Sequence, residues 1–188
     1  MARRLSHVIG FDDAPFAPNH RGDVLVVGAV YSGLRLEGVL SGKVRRDGVN
    51  STSTILRLVS ASRFKAHIQV VMLQGIAFAG FNVIDMARLH ASLKLPVIVV
   101  ARQQPNLEAI KRALLRNVRG GARKWKLIEQ AGPMRRVAKV YIQHCGLNLR
   151  EAGEVVRRCA TNSVVPEPLR TAHLIAGGIA VGESRHRP

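Results

Sequence analysis

The chain has 188 residues, of which 47% are hydrophobic and 22% charged, and its net charge is +17. This length is that of one domain with a substantial core, and no apolar run approaches the ~20 residues of a membrane-spanning helix. The basic residues 1–4 precede a short apolar stretch that ends at Asp12 and Asp13, a poor match to a signal peptide. We therefore expect residues 1–188 to form a single cytoplasmic domain with no membrane partner.

The excess of basic residues predicts a polyanionic partner. Lys and Arg number 29 against 12 Asp and Glu, a balance that attracts DNA, and RNA by the same chemistry. Aromatic residues make up only 4%, so contact with the phosphate backbone is favoured over a base-stacking platform. The alternative is a set of solvated basic faces. The candidate backbone contacts are Arg112, Arg116, Arg119, Arg123, Lys124, Lys126, Arg135 and Arg136.

The first half of the chain predicts a meander followed by α/β alternation. Apolar runs predict strands over residues 8–11 and 24–31, and a loosely alternating third strand over residues 34–46. Helical spacing of apolar residues follows over residues 51–62, with Ser51 as the cap. A buried strand is then predicted over residues 68–73, before Gln74 and Gly75.

The second half continues the alternation. Asn82 is expected to cap a helix that runs to Leu93, and residues 95–100 form a short buried strand. Pro105 starts a further helix, and residues 137–142 alternate as a strand. Two more helices follow, one with an Asn148–Glu151 capping box and one opened by Pro166 and Pro168. This order predicts the α/β class: a ribonuclease H-like mixed sheet with helices on both faces.

Two adjacent carboxylates end the first predicted strand. Asp12 and Asp13 stand where a nuclease needs ligands for Mg²⁺, which neutralises phosphate and activates water. An Asp-Asp turn ahead of Pro15 fits the pattern equally well. We keep both interpretations open.

Other candidates follow the later strands. Asp47 ends the third strand in an Asp-Gly turn, and a turn residue is its favoured interpretation when it is taken alone. Asp85 lies in the first turn of a helix, where favourable capping and the helix dipole are a strong alternative explanation. In the connection that follows the fourth strand, Gly75 and Gly80 can let phosphate approach the backbone N–H groups at the start of the next helix. Together with Asn82 they are candidate nucleic-acid contacts. A tight, packed connection is the alternative.

Several stretches carry a family resemblance. Residues 166–173 read Pro-Glu-Pro-Leu-Arg-Thr-Ala-His, which resembles the C-terminal Pro-Glu-Pro-x-Arg-x-Ala-His pattern of endonuclease V, and residues 9–12 resemble its first-strand Gly-x-Asp. Residues 70–85, 96–100 and 173–184 resemble an archaeal endonuclease V-like branch described as endonuclease dU. The resemblance covers essentially the whole chain.

The resemblance implies a ribonuclease H-like fold and DNA-repair cleavage, with Mg²⁺ or Mn²⁺, near a deaminated base. That base is hypoxanthine in endonuclease V and deoxyuridine in the archaeal branch. Asp12 matches the family's first-strand metal ligand. His173 matches a histidine in the C-terminal part of the family's pattern, and it is a candidate site residue only if the last helix crosses the strand ends. Gln74 stands where endonuclease V has Asp, and a Gln oxygen binds Mg²⁺ without charge, so Asp13, Asp47 or Asp85 must compensate. Asp47 is the nearest match in order to the catalytic Glu.

Three functions follow as hypotheses. In the preferred one, Asp12, Asp13, Gln74 and Asp85 surround the metal, with Asp47 and His173 assisting hydrolysis. The first alternative is a non-catalytic nucleic-acid-binding protein on a decayed nuclease fold. The second is a nucleotide-handling enzyme that uses the connection from Gly75 to Gly80. Nothing in the sequence indicates the oligomeric state.

Overall fold

One mixed sheet of seven strands organises the computed structural model, which describes residues 5–184. Its strands are β1 (His7–Asp13), β2 (Asp23–Ser32), β3 (Arg35–Arg45), β4 (Val70–Gln74), β7 (Val97–Ala101), β8 (Arg135–Val137) and β9 (Val140–Cys145), while β5 (Ala77–Phe78) and β6 (Asn82–Val83) form a separate hairpin. The sheet order is β3-β2-β1-β4-β7-β9-β8. β1 is antiparallel to β2 but parallel to β4, and β4 is parallel to β7.

Six helices accompany the strands. They are α1 (Ser51–Ser60), α2 (Met86–Leu93), α3 (Leu107–Asn117), α4 (Gly121–Gln130), α5 (Leu149–Cys159) and α6 (Glu167–Val181). Within residues 5–184, every helix is too short or too polar to cross a membrane. The predicted capping box is present at α5, where Asn148 and Glu151 satisfy each other's backbone N–H groups.

Both faces of the central strands are buried because side chains alternate along a strand. Ile9 and Phe11 of β1 join the core cluster that includes the apolar residues of α1 and α2. Val8 of β1 and Met72 of β4 join the opposite cluster with α5 and the first turn of α6. This arrangement confirms the expected three-strand meander, the α/β alternation and the helices on both faces.

Local details differ from the prediction in three places. Ser51 does not cap α1 but is its first helical residue, and Asn50 occupies the N-cap position. Asn82 does not cap α2: it lies in β6, and Asp85 is the N-cap, accepting a hydrogen bond from the backbone of Arg88 at 2.9 Å. Residues 137–142 are not one strand, because the chain turns at Ala138 (φ 53°) and pairs β8 with β9. Residues 1–4, on which the argument against a signal peptide rests, lie outside the described residues.

Candidate active site

The carboxyl ends of three parallel strands meet at one edge of the sheet, where ligands of open α/β sheets collect. β1 and β4 pair in register up to Phe11 and Leu73, so that Asp12 and Gln74 follow at neighbouring positions. β7 ends beside them, with Val100 paired to Gln74. The sheet thus brings the first predicted carboxylate and the predicted amide ligand to the same edge.

The last helix crosses this edge and supplies a histidine. A Cβ at Gly10 would lie 2.5 Å from the backbone carbon of Pro168, so glycine is what allows α6 to lie this close to β1. Tyr31 on β2 and Thr171 on α6 fix the contact with a 2.8 Å hydrogen bond between their hydroxyls. Two residues further along α6, Nδ1 of His173 lies 2.9 Å from Oδ2 of Asp12. The last helix therefore does cross the strand ends, which is the arrangement on which the candidacy of His173 depended.

The first carboxylate is buried against that histidine. The side chain of Asp12 is 6% exposed and that of His173 is 22% exposed, so solvent reaches the pair from the histidine side. Burial raises the pKa of the Asp12 carboxyl, although the hydrogen bond and charge of His173 act in the opposite direction. A cation or a protonated histidine at this point therefore stabilises the carboxylate.

The second carboxylate lies beside the first. Its Oδ2 accepts a 2.8 Å hydrogen bond from the backbone N–H of Ala79, in the turn between β5 and β6. Burial, followed by the charge of Asp12, raises the pKa of Asp13 to about 7. Near neutral pH this carboxyl is therefore poised between its two protonation states.

Asp47 holds the same turn from the other side. Its backbone N–H donates to the carbonyl of Ala79 at 2.9 Å, and its Oδ1 accepts from the backbone N–H of Phe81 at 2.8 Å. The ammonium of Lys124 donates to the Asp47 carbonyl, and Arg46 lies 3.3 Å from its Oδ2. These contacts give Asp47 a structural function, and its catalytic role stays a prediction.

Gln74 carries a polar atom that no protein group satisfies. Its Oε1 is buried and has no hydrogen-bond partner within residues 5–184. Such an orphaned acceptor is rare and can take a water, an ion or a ligand as its partner. Together with the Asp12 and Asp13 carboxylates it is a hard oxygen donor of the kind that suits Mg²⁺ or Mn²⁺. Among the described residues, however, no three His, Cys, Asp or Glu side chains are grouped as a metal site.

Three predicted site residues are wrong for the role given to them. Asp85 caps α2 and lines a small pocket with residues of α4 and β9, so it is not part of the Asp12 group. Asn82 is fully buried, and its amide bonds the backbone of Ser51 and Arg45, so it does not reach nucleic acid. Lys124 is also buried, with its ammonium on the Asp47 carbonyl.

The other predicted nucleic-acid contacts remain accessible. The exposed basic side chains belong to α3, α4, β8 and the loop between the two helices: Arg112, Arg116, Arg119, Arg123, Lys126, Arg135 and Arg136. Gly75 and Gly80 both have a φ in the left-handed region, at 81° and 82°, which glycine adopts readily. Both line a cavity beside the carboxylates. Their contact with nucleic acid stays a prediction.

Sequence reasoning missed that cavity and its buried polar residue, Gln143. The cavity has a volume of about 580 Å³ and lies between the connection after β4 and helices α3 and α4. The only sequence signal is a glutamine among the apolar residues of β9, and periodicity does not identify such a position as a site.

The sheet order, with the Asp12–His173 pair at the carboxyl ends of its parallel strands, defines an α/β protein of the ribonuclease H-like fold. The family model described as Endonuclease dU matches residues 4–180, and the chain therefore belongs to the endonuclease dU family. The family and the fold indicate a nuclease.

Relatives and solved structures agree with this placement. The UPF0215 protein of Deinococcus radiodurans is 58% identical over 181 residues, which are 96% of this chain and 92% of that one. A crystal structure of a protein of unknown function from Archaeoglobus fulgidus is 34% identical, with a TM-score of 0.87 over 94% of this chain and 99% of that one. The expected archaeal origin stays a prediction.

A more distant structure supports the fold alone. Ciona intestinalis endonuclease V, in complex with a 24mer DNA containing an inosine followed by a ribo-adenosine, is 17% identical, with a TM-score of 0.59 over 90% of this chain and 83% of that one. The fold class and the resemblance predicted from the sequence are thus confirmed.

Proposed function

We propose that this protein is a metal-dependent endonuclease that cuts a DNA phosphodiester near a deaminated base, deoxyuridine or deoxyinosine, in DNA repair. The observation that carries the proposal is the buried Asp12 carboxylate, 2.9 Å from His173 at the carboxyl end of β1. The family's description and the DNA lesion bound by the Ciona intestinalis protein support this substrate class.

The donor set fits a hard divalent cation. Asp12, Asp13 and Gln74 would hold Mg²⁺ or Mn²⁺, since two carboxylates balance its charge and the orphaned Gln74 oxygen gains a partner. When bound, such an ion neutralises phosphate charge and generates a nucleophilic water. Asp13 must lose its proton to contribute charge. A cation at this point therefore favours the deprotonated carboxylate, which forms near neutral pH.

The chain's own residues position the substrate and handle protons. Nδ1 of His173 lies 2.9 Å from Asp12, and the ring is 22% exposed, so a phosphate or a leaving oxygen can approach this pair from solvent. The exposed basic residues of α3 and α4, among them Arg116 and Arg123, supply attraction for the DNA backbone. No base-specific contact is required of them.

A cleavage assay with end-labelled oligonucleotides tests the proposal. Duplexes and single strands with one deoxyuridine, one deoxyinosine or no lesion are incubated with Mg²⁺, Mn²⁺ or EDTA. We expect metal-dependent cutting beside one lesion. Asp12→Asn abolishes it, whereas Asp23→Asn, the same change at an exposed carboxylate on β2, leaves it unchanged. If Asp12→Asn cleaves at the wild-type rate, the active site does not lie at this edge of the sheet.

A non-catalytic nucleic-acid-binding protein is the second candidate. It is favoured by Gln74 and by the lack of a three-member acidic or histidine cluster within residues 5–184. It predicts DNA binding that survives EDTA, with no cutting in any metal tested. That result would replace the nuclease proposal.

A further inference from the structure

The large cavity opens beside the carboxylates and is built mainly from apolar groups. Its volume is about 580 Å³, within the usual range for small-molecule sites. Ile76 and Phe81 from the connection after β4 form one wall, and Trp125 and Ile128 of α4 form another. The indole N–H of Trp125 is held at 2.6 Å by Glu129, which fixes the ring. A planar, mostly apolar group suits this space.

One buried polar side chain lies in that wall. Gln143 on β9 is 5% exposed, and its Nε2 donates to the carbonyl of Gly132 at 2.6 Å. A backbone carbonyl only accepts, so this bond fixes which end of the carboxamide faces Gly132. Oε1 is then left as an acceptor without a partner within residues 5–184. Because Oε1 has almost no accessible surface, a donor reaches it only when a neighbouring side chain of the cavity moves; Met134, which lines the same cavity, has a flexible side chain.

The cavity and the carboxylates share a wall. Gly80 lines the cavity, and a Cβ there would lie 2.5 Å from Oδ1 of Asp47. The preceding residue, Ala79, donates its N–H to Asp13. The backbone turn at Ala79 and Gly80 therefore lies between the cavity and Asp13, which places a base in the cavity and a phosphate at the carboxylates on two sides of one short segment. An extruded nucleotide has this combination of a planar ring and an adjacent phosphate.

We propose that this cavity receives the extruded base and that Oε1 of Gln143 is the specificity-determining acceptor for its ring N–H. This inference rests on the proposed function. Cytosine N3 and adenine N1 carry lone pairs, and deamination converts each to an N–H donor. An acceptor at this point is satisfied by uracil or hypoxanthine and repels the lone pair of the parent bases. Thymine and guanine also carry a ring N–H, but in intact duplex they stay paired, because damaged pairs open more cheaply.

Binding in EDTA tests the inference without cleavage. Fluorescence anisotropy gives Kd for single strands with one central deoxyuridine or deoxycytidine among deoxyadenosine and deoxycytidine only, so that neither pairing nor the ring N–H of thymine or guanine contributes. We expect the wild type to prefer deoxyuridine roughly 10-fold or more, the discrimination of one good base contact. Gln143→Met, of similar length but without the acceptor, brings the two Kd values together. Gln104→Met, at an exposed residue lining the same cavity, keeps the preference.

A ligand-side change needs no variant. A deoxyuridine methylated at N3 loses the donor, and we expect wild-type affinity to fall to that for deoxycytidine. The inference is overturned if the wild type binds the deoxyuridine, N3-methylated and deoxycytidine strands with equal affinity. It is also overturned if folded Gln143→Met keeps the full preference for deoxyuridine. Both outcomes count even if the protein cuts DNA. A preference that Gln143→Met abolishes, without cutting in any metal, keeps the inference and refutes the nuclease. The two proposals thus fail separately.

Discussion

Replacing Asp13 by asparagine should stabilise the metal-free protein at alkaline pH. The Asp13 carboxyl is buried beside Asp12, and its pKa is raised to about 7, so above neutral pH the fold holds a charge that burial disfavours. Asparagine has nearly the same shape, and its Oδ1 can still accept the hydrogen bond from Ala79. The substitution therefore removes the charge and keeps the contact.

The pKa shift sets the size and the direction of the effect. In the unfolded chain the Asp13 carboxyl titrates near 3.8, and in the fold it titrates at about 7. Between these values the native state holds a proton that the unfolded state has released, so the free energy of unfolding falls as pH rises and levels off above about pH 7. At about 1.4 kcal/mol for each pKa unit, the loss is up to about 4 kcal/mol.

Urea denaturation in EDTA from pH 4.5 to 8.5 measures this loss. We expect wild type and Asp13→Asn to have similar stability at the acid end, and the variant to be more stable by up to about 4 kcal/mol at pH 8. Asp23→Asn, at an exposed carboxylate, should follow the wild-type curve. Mg²⁺ should then stabilise the wild type more than Asp13→Asn. An Asp13→Asn curve parallel to the wild-type curve would refute the reasoning.

His173→Ala should slow lesion cleavage roughly 100-fold or more and leave Kd for DNA unchanged, and a loss below about 3-fold would exclude proton transfer by this ring. Gly80→Ala forces a side chain into a φ of 82°, 2.5 Å from an Asp47 oxygen, so unfolding free energy should fall by roughly 1–3 kcal/mol. Gly33→Ala, with a φ of 60° and nothing within 4 Å, should cost less, and equal losses would argue against the contact. Arg123→Ala should lower the slope of log Kd against log salt by about 0.9, and an unchanged slope would place Arg123 off the DNA.

The element order could be predicted because the buried strands are nearly continuous apolar runs. The hairpin of β5 and β6 could not, since two-residue strands have no periodicity to detect. Its position depends on Asn82, whose amide bonds Ser51 and Arg45, 31 and 37 residues away. Because of these hydrogen bonds, Asn82 is buried in the hairpin instead of capping α2, and Asp85 occupies the N-cap position. The local sequence pattern does not identify hydrogen-bond partners that are so distant in the chain.

The candidate site was predictable only in part, for a similar reason. Asp12 and His173 were found through motifs, but their contact depends on the close approach that Gly10 allows between β1 and α6. Lys124 lies in a segment whose other basic residues are exposed, and only the fold shows that it turns inward to Asp47. Gln143 has no motif, because its significance comes from an oxygen left without a partner.

The glutamine that ends β4 does not leave the site short of charge. Burial already raises the pKa of both Asp12 and Asp13, and a third carboxylate at position 74 would add like charge to the same edge. With Gln74, the group keeps two carboxylates, the number that balances a divalent cation, and adds a neutral oxygen donor. In the proposed metal site, Asp13 would supply the charge that the endonuclease V pattern places on β4. The departure at Gln74 is therefore compatible with the proposed metal site as well as with the binding protein, and the EDTA and metal arms of the cleavage assay separate the two.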